Sequence, residues 1–338
     1  MKKLSSPRIA GFGSSLPPRV VTNDDLAKFV DTSDEWITSR TGIKQRHLTE
    51  DSVTNTDIGV LAARAALERA AVQASEITHI IYGTCTPDAA FPSCACLLQE
   101  QLGITNTLSL DINAACTSFV YGLEVSRSLA LAHPQSNILL VATDTLSKLL
   151  NWNDRSTCVL FGDGSGAVVV SGADSEAGQA TTHPSAQVID IMCSSDGSLG
   201  DLLYARGGHS SHPYTLGHIV DEEHFLHMQG REVFKHAVRS MSKICHTILE
   251  KNNLTINDID VIVPHQANLR IIEAVGSRLK ASSEQIFINV DHVGNTSAAS
   301  IPLALSEAID KGAIQAGQKV LIVTFGAGFT WAAALLQF

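Results

Sequence analysis

Val261-Ile262-Val263-Pro264-His265-Gln266 repeats, late in the chain, a plan set out earlier by His79-Ile80-Ile81-Tyr82-Gly83-Thr84-Cys85. Each is an apolar run of strand length that follows a helical stretch and an acidic turn. Cys116 follows Cys85, and Asn295 follows His265, at nearly equal spacing, which aligns those two corners. Ile138-Leu139-Leu140-Val141-Ala142-Thr143 then matches Val320-Leu321-Ile322-Val323-Thr324-Phe325, and the run from Gly162 to Val170 matches that from Gly328 to Leu336. Matches in the same order predict an internal duplication. Its joint falls near Ser171 to Ala186, where Gly, Ala, Ser and Asp gather as in a linker. The halves are then residues 1–175 and 186–338, folded as one compact body of the α/β class. The continuous apolar runs read as central strands covered on both faces. Cys116, His265 and Asn295 stand at the carboxyl ends of such strands, where α/β sheets hold their ligands.

The bulk properties narrow what such a body can do. The chain has 338 residues, 44% hydrophobic and 17% charged, as in an ordinary globular protein. A formal charge of −10 argues against a general nucleic-acid binder, which needs a basic face. The start, Met1-Lys2-Lys3-Leu4-Ser5-Ser6-Pro7-Arg8, has no apolar run behind its lysines, and no stretch approaches a membrane span. Seven scattered cysteines make no disulfide framework, and Cys94-Ala95-Cys96 has no second ligand pair at zinc spacing. No metal site and a reducing cytoplasm are the expectations.

Ser109-Leu110-Asp111-Ile112-Asn113-Ala114-Ala115-Cys116-Thr117-Ser118-Phe119-Val120 has the form of a nucleophile mount. A strand-like run from Thr107 to Ile112 meets a small-residue corner, and helical spacing follows through Phe119, Val120, Leu123, Val125 and Leu129. Cys116 then sits at a helix start, where free N–H groups and the dipole favour a thiolate. A buried structural cysteine is the alternative. Cys, His and Asn together are the residue types of thiol-based acyl chemistry, in which a thiolate attacks an acyl carbon and donors hold the oxyanion.

Two other stretches could mislead. Ser194 to His218 is a long Gly/Ser/His-containing interval, and such loops are often lids. Its His209, His212 and His218 are irregularly spaced without nearby carboxylates, and read as solvated loop residues rather than metal ligands. Gly162-Asp163-Gly164-Ser165-Gly166 lacks the Lys of a phosphate loop and reads as close strand packing.

The ordered motifs resemble the β-ketoacyl-acyl-carrier-protein synthase III family of the thiolase-like superfamily. They are Asp34-Glu35-Trp36-Ile37-Thr38-Ser39-Arg40-Thr41-Gly42-Ile43, the Cys116 corner, Phe161-Gly162-Asp163-Gly164, Val263-Pro264-His265-Gln266-Ala267-Asn268-Leu269-Arg270, His292-Val293-Gly294-Asn295-Thr296-Ser297-Ala298-Ala299-Ser300 and Phe325-Gly326-Ala327-Gly328-Phe329-Thr330-Trp331. The resemblance runs end to end and implies a thiolase-like duplicated αβαβα five-layer fold and a homodimer. It implies that Cys116 takes an acyl group from a short acyl-CoA, and that malonyl-acyl-carrier-protein then loses CO2 and condenses with it. No cofactor is implied beyond acyl-CoA as substrate, and the partners are acyl-CoA, malonyl-acyl-carrier-protein and a second copy of the chain.

Residue roles follow by the same resemblance. Backbone amides of Cys116 and Ala327 hold the first oxyanion, while His265 and Asn295 donate to the malonyl thioester carbonyl without bringing a full charge. Trp36 and Arg155 sandwich the CoA adenine, and Arg40, Lys235, Asn268 and Arg270 meet phosphates or pantetheine. The same basic rim receives the acidic carrier, with Arg278 kept at one expected position and Ser277 replacing a basic residue beside it. Cys85, Leu146, Phe161, Met228 and Phe325 line the acyl pocket, and Phe91 crosses the dimer interface to close the partner's. Cys85 stands where relatives often have Thr, and Ala327 where Gly is common, which leaves the primer's length open. Rival readings are a thiolase-fold enzyme with another primer or acceptor (a polyketide starter synthase or an acyltransferase), a papain-like protease, and a non-catalytic subunit. Papain-like enzymes differ around the nucleophile and lack the duplication. A non-catalytic subunit is expected to lose Cys116, His265 or Asn295, all of which are present.

Overall fold

The computed structural model describes residues 7–177, 183–213 and 222–338; residues 178–182 of the joint, and the end of the Ser194–His218 interval with His218 itself, lie outside the described residues. Its main strands are β1 (Arg8–Ser15), β2 (His79–Gly83), β3 (Leu108–Ile112), β4 (Asn137–Thr145), β5 (Asp163–Ser171), β6 (Ala186–Ser195), β7 (Val261–Pro264), β8 (Lys319–Gly326) and β9 (Thr330–Gln337). Between them run α1 (Asn55–Ala70), α2 (Cys94–Gln101), α3 (Ser118–Ala132), α4 (Gly230–Lys251), α5 (Leu269–Leu279) and α6 (Ser300–Asp310).

In space the strands follow the order β3-β2-β4-β5-β1-β6-β9-β8-β7. Read outward from the middle, β1-β5-β4-β2-β3 is answered by β6-β9-β8-β7. Where a fifth strand is due, Ile286 makes a parallel bridge to Ile262. Directions agree as well: β2–β4 and β7–β8 pair parallel, while β4–β5 and β8–β9 pair antiparallel. The two halves of this nine-stranded sheet join where Arg8 and Ile9 pair with Gln187 and Ala186, and Val188 N bonds Pro7 O beside them.

Alternation along the strands sets the layers, since neighbouring side chains point to opposite faces. On β4, Ile138, Leu140 and Ala142 enter a central core while Leu139 and Val141 enter an outer one. On β8, Val320 and Ile322 face the centre while Leu321 and Val323 face outward. The outer core of the first sheet is closed by α1 and α2, and that of the second by α4 and α5. Between the sheets lie α3 and α6. Burial on every side of Ser300 to Ser306 follows from that position. This is the five-layer αβαβα arrangement, with a mixed sheet in each half.

The corners before α3 and α6 are built alike, one residue at a time. Asn113 Oδ1 accepts from Ala115 N at 3.2 Å, and Asn295 Oδ1 accepts from Ser297 N at 3.0 Å. Ala115 (φ 48°) and Ser297 (φ 51°) both take the left-handed region, and a single 3₁₀ turn then leads into each helix. Asn113 therefore answers Asn295, and Cys116 answers Ala298. This corrects the alignment of Cys116 with Asn295 read from spacing, because the corner spends three residues on an Asn-capped turn before the nucleophile.

Candidate active site

Cys116 is buried in the 3₁₀ turn Ala115–Thr117, ahead of α3. The turn is fixed from both sides. Ser118 Oγ accepts from Ala114 N at 2.9 Å, and Thr324 Oγ1 on β8 donates to Cys116 O at 3.0 Å. Gly326 closes the approach, since a Cβ there would stand 2.9 Å from Cys116 N. Burial pushes the thiol up to about 12, against a lowering hydrogen bond from Ser297 and with Asp144 adding repulsion. Burial thus works against the depressed thiol expected from the helix start.

His265 extends β7 by one residue, its N–H donating to Val323 O at 2.8 Å. The side chain is buried, and desolvation lowers its pKa to about 4, so the imidazole is neutral at physiological pH. Its Nδ1 is buried without a hydrogen-bond partner among the described residues. Gln266 pins this strand end to the Asn295 segment. Its Nε2 donates to Pro264 O and Phe287 O, and its Oε1 accepts from Asn289 N and Val290 N.

Asn295 bridges Phe161 in parallel fashion, with Gly162 N bonded to its carbonyl and its own N–H to Leu160 O. Because its Oδ1 already accepts the Ser297 N–H, its Nδ2 is the end left to donate into the site. Cys116, His265, Asn295, Phe161, Met228, Asn268 and Phe325 line one mostly apolar cavity of about 140 Å³. A second cavity of about 190 Å³ meets Cys116 from the other side. Its walls include Cys85, Leu146, Phe161, Ser297, Ala327, Tyr204, Leu226 and His209. His209 is solvent-exposed, as expected of a loop residue, while also reaching the rim of this second cavity, and His212 lies 3.9 Å from the Glu223 carboxylate. Phe91 lines neither cavity within one chain and is 86% exposed.

Beneath the corner lies Asp144, a fully buried carboxyl that sequence reading missed. Its Oδ1 accepts from Thr84 Oγ1, Cys85 N and Thr86 Oγ1, and its Oδ2 from Ala298 N, so it ties the two halves together. The signal was an acidic residue directly after the strand-like run Ile138–Thr143. Burial raises its pKa against these lowering hydrogen bonds.

Of the residues expected to form a basic rim, Asn268 lines the first cavity, and Arg40 and Arg270 adjoin it through Asn268 and Phe234. The helix Asp34–Thr41, capped by Ser33 Oγ on Trp36 N, ends at Gly42 (φ 77°), whose close approach to Leu269 leaves no room for a Cβ. That contact sets Trp36 and Arg40 beside the start of α5. Asn268 caps α5 through Arg270 N at 2.9 Å and donates to Arg40 O at 3.4 Å. The guanidinium of Arg40 lies 4.5 Å from the Trp36 ring centre, and that of Arg155 lies 5.2 Å away while bonded to the Asp31 carbonyl. Arg270 sits over Phe234, Lys235 pairs with Glu232 at 2.7 Å, and Arg278 is exposed on the last turn of α5.

Comparison with known proteins agrees with this arrangement. Residues 110–197 match the family model described as 3-oxoacyl-[acyl-carrier-protein] synthase III, and residues 249–338 match the model of its C-terminal part. A β-ketoacyl-[acyl-carrier-protein] synthase III of Nitratidesulfovibrio vulgaris is 54% identical over 336 residues, covering 99% of this chain and 100% of its own. One from Xanthomonas campestris is 46% identical over the full length of both. The crystal structure of 3-oxoacyl-[acyl-carrier-protein] synthase III from Aquifex aeolicus superposes with a TM-score of 0.88 at 41% identity, over 98% of this chain and 100% of that one. The chain belongs to the β-ketoacyl-acyl-carrier-protein synthase III family.

Proposed function

We propose that this protein condenses a short acyl-CoA with malonyl-acyl-carrier-protein and so initiates fatty-acid synthesis, by way of an acyl group held on Cys116. The observation that carries this reading is the single cavity shared by Cys116, His265 and Asn295. In the first stage the Cys116 sulfur attacks the acyl-CoA thioester and CoA leaves. The amides of Cys116 and Ala327 stabilise the oxyanion; the position of Ala327 on the wall of the second cavity supports this. In the second stage decarboxylation drives negative charge onto the malonyl thioester oxygen. A neutral His265 and the Nδ2 of Asn295 donate to it, and neutrality matters because a full positive charge would also hold the carboxylate being lost.

The acyl chain occupies the second cavity among Cys85, Leu146 and Phe161, with Met228 and Phe325 guarding the first. CoA enters over Trp36, Arg40, Arg155, Asn268 and Arg270, and Lys235, Arg270 and Arg278 meet the acidic carrier. A base stacked between Trp36 and Arg155 needs about 7 Å, two contacts of about 3.5 Å. Arg155 must therefore leave its place 5.2 Å from the ring when CoA binds. Residues 1–175 carry the nucleophile and 186–338 the two donors, as halves of one body. The exposed Phe91 and the half-exposed edge strand β3 support a homodimer in which Phe91 reaches the partner's acyl pocket. Seven free cysteines suit a cytoplasmic enzyme.

The test is mass spectrometry of Cys116 after exposure to a panel of acyl-CoAs, followed by malonyl-acyl-carrier-protein. An adduct on Cys116 that the malonyl carrier discharges as 3-oxoacyl-carrier supports the reading. A stable adduct that it never discharges points to an acyltransferase.

A further inference from the structure

Ser297 stands between two thiols. Its Oγ lies 3.3 Å from Cys116 Sγ, which it serves as donor, and 3.9 Å from Cys85 Sγ. The residue is held from both sides: its N–H is fixed by Asn295 Oδ1 at 3.0 Å, and the next amide, Ala298 N, by Asp144 Oδ2 at 3.0 Å. It adopts φ 51°, a conformation unfavourable for a residue with a Cβ, and it does so at the corner equivalent to Ala115, where no hydroxyl is present. The backbone turn therefore needs no serine, and the hydroxyl requires another explanation.

We infer that Ser297 is a positioning residue for the acylation stage, its Oγ–H donating to the Cys116 sulfur and stabilising the thiolate that attacks the acyl-CoA. The titratable groups facing that sulfur are Asp144 at the end of β4, Cys85 beyond β2, His265 beyond β7 and His209 across the second cavity. Asp144 and burial oppose a thiolate, and His265 is held neutral, so the Ser297 donor acts against both. In the step itself the Cys116 sulfur forms a bond to the acyl carbon and the carbon–sulfur bond to CoA breaks. The proton lost by Cys116 is balanced by the one taken up by the departing CoA thiolate. Once acylated, the sulfur is a weak acceptor, so the Ser297 hydroxyl acts in acylation, while its backbone N–H goes on holding Asn295 Oδ1.

The inference rests on Cys116 being the acylated residue, and the experiment separates the two claims. Labelling of Cys116 by iodoacetamide is followed by mass spectrometry between about pH 7 and 9.5 in the whole protein, in Ser297→Ala and in Ser297→Gly. A hydrogen bond to a charged group is worth about tenfold or more, so both variants should label about tenfold more slowly, with the log-rate line displaced by about one pH unit. Ser297→Gly also relieves the left-handed backbone, so a purely steric defect of Ser297→Ala would not recur in it. Discharge of preloaded acyl-Cys116 by malonyl-acyl-carrier-protein should fall by clearly less than labelling does in both variants. Either variant labelling at the unaltered rate overturns the inference, and so does discharge that falls as far as acylation. Failure of acyl-CoA to load the unaltered Cys116 would instead sink the proposed function, while the labelling comparison would still decide the role of Ser297.

Discussion

At the scale of single residues the proposed mechanism divides the labour of the site between a sulfur and two neutral donors. Asn295 Oδ1 holds the Ser297 amide, which leaves Nδ2 free for the enolate oxygen in the mechanism proposed above. Asn295→Ala should slow decarboxylation of malonyl-acyl-carrier-protein about a hundredfold, while transfer of acyl from CoA to Cys116 stays within about threefold. Equal losses in the two half-reactions, each timed separately by adduct mass and CO2 release, would refute that division. His265 was legible in the sequence because it ends an apolar run, and Cys116 and Asn295 because each lies in a small-residue motif of the resemblance, although Asn295 follows the helical turn Val290–Val293 and not a strand. Ser297 and Asp144 were not assigned roles. A serine after Asn-Thr resembles a turn residue, and an aspartate after an apolar run resembles the start of a loop. What makes them matter is contact across the duplication, between residues far apart in the chain.

Elements place these side chains, and their packing can be tested without touching the site. At Gly13 of β1 a Cβ would stand 2.3 Å from Ala62 O and 2.4 Å from Ala66 N of α1. Gly13→Ala should therefore cost about 2 kcal/mol, measured as a fall in urea midpoint. The segment that carries Asn295 is braced differently. His292 bonds through Nδ1 to Asp291 and through Nε2 to Glu307, which also takes bonds from Asn289 and Lys311. Glu307 chiefly, with Asp291, raises the His292 pKa against the effect of burial. Burial alone would raise Glu307, yet its bonds from His292, Lys311 and Asn289 hold it at about 2. The stabilisation from His292 is full below its unfolded value of about 6.5 and is lost as pH rises through the raised folded one. That from Glu307 is full above about 4.3 and is lost as pH falls towards 2. The urea-midpoint gap between the protein and His292→Gln should be widest at about pH 5 to 6 and shrink above neutrality. A gap that is flat with pH would remove the ion pair from the account. The strand runs of this frame were readable, but the one-turn offset at the two corners was not, because a 3₁₀ turn leaves no periodic mark in so few residues.

On the scale of the whole molecule, the five layers explain why one chain carries both stages of a two-substrate reaction: the corners of the two halves point at one another across a shared interior. If a second copy completes the acyl pocket, light scattering should report about twice the 36.0 kDa chain mass. Phe91→Ala should keep that mass while admitting longer acyl-CoAs to Cys116. A particle of single-chain mass would deny Phe91 any reach into a neighbour. The family's motifs spread along the entire sequence, so the general plan could be seen before any coordinates. The rim's internal pairings (Lys235 with Glu232, Arg155 with Asp31) could not, because they depend on side-chain reach across helices and loops. One further consequence comes from the middle layer. Since α3 and α6 are the common lining of both sheets, neither moiety possesses a finished interior of its own. The reaction chamber is a keystone joint, unable to gape by a hinge between lobes, so all traffic of reactants must pass through peripheral doorways while the inner masonry stays still.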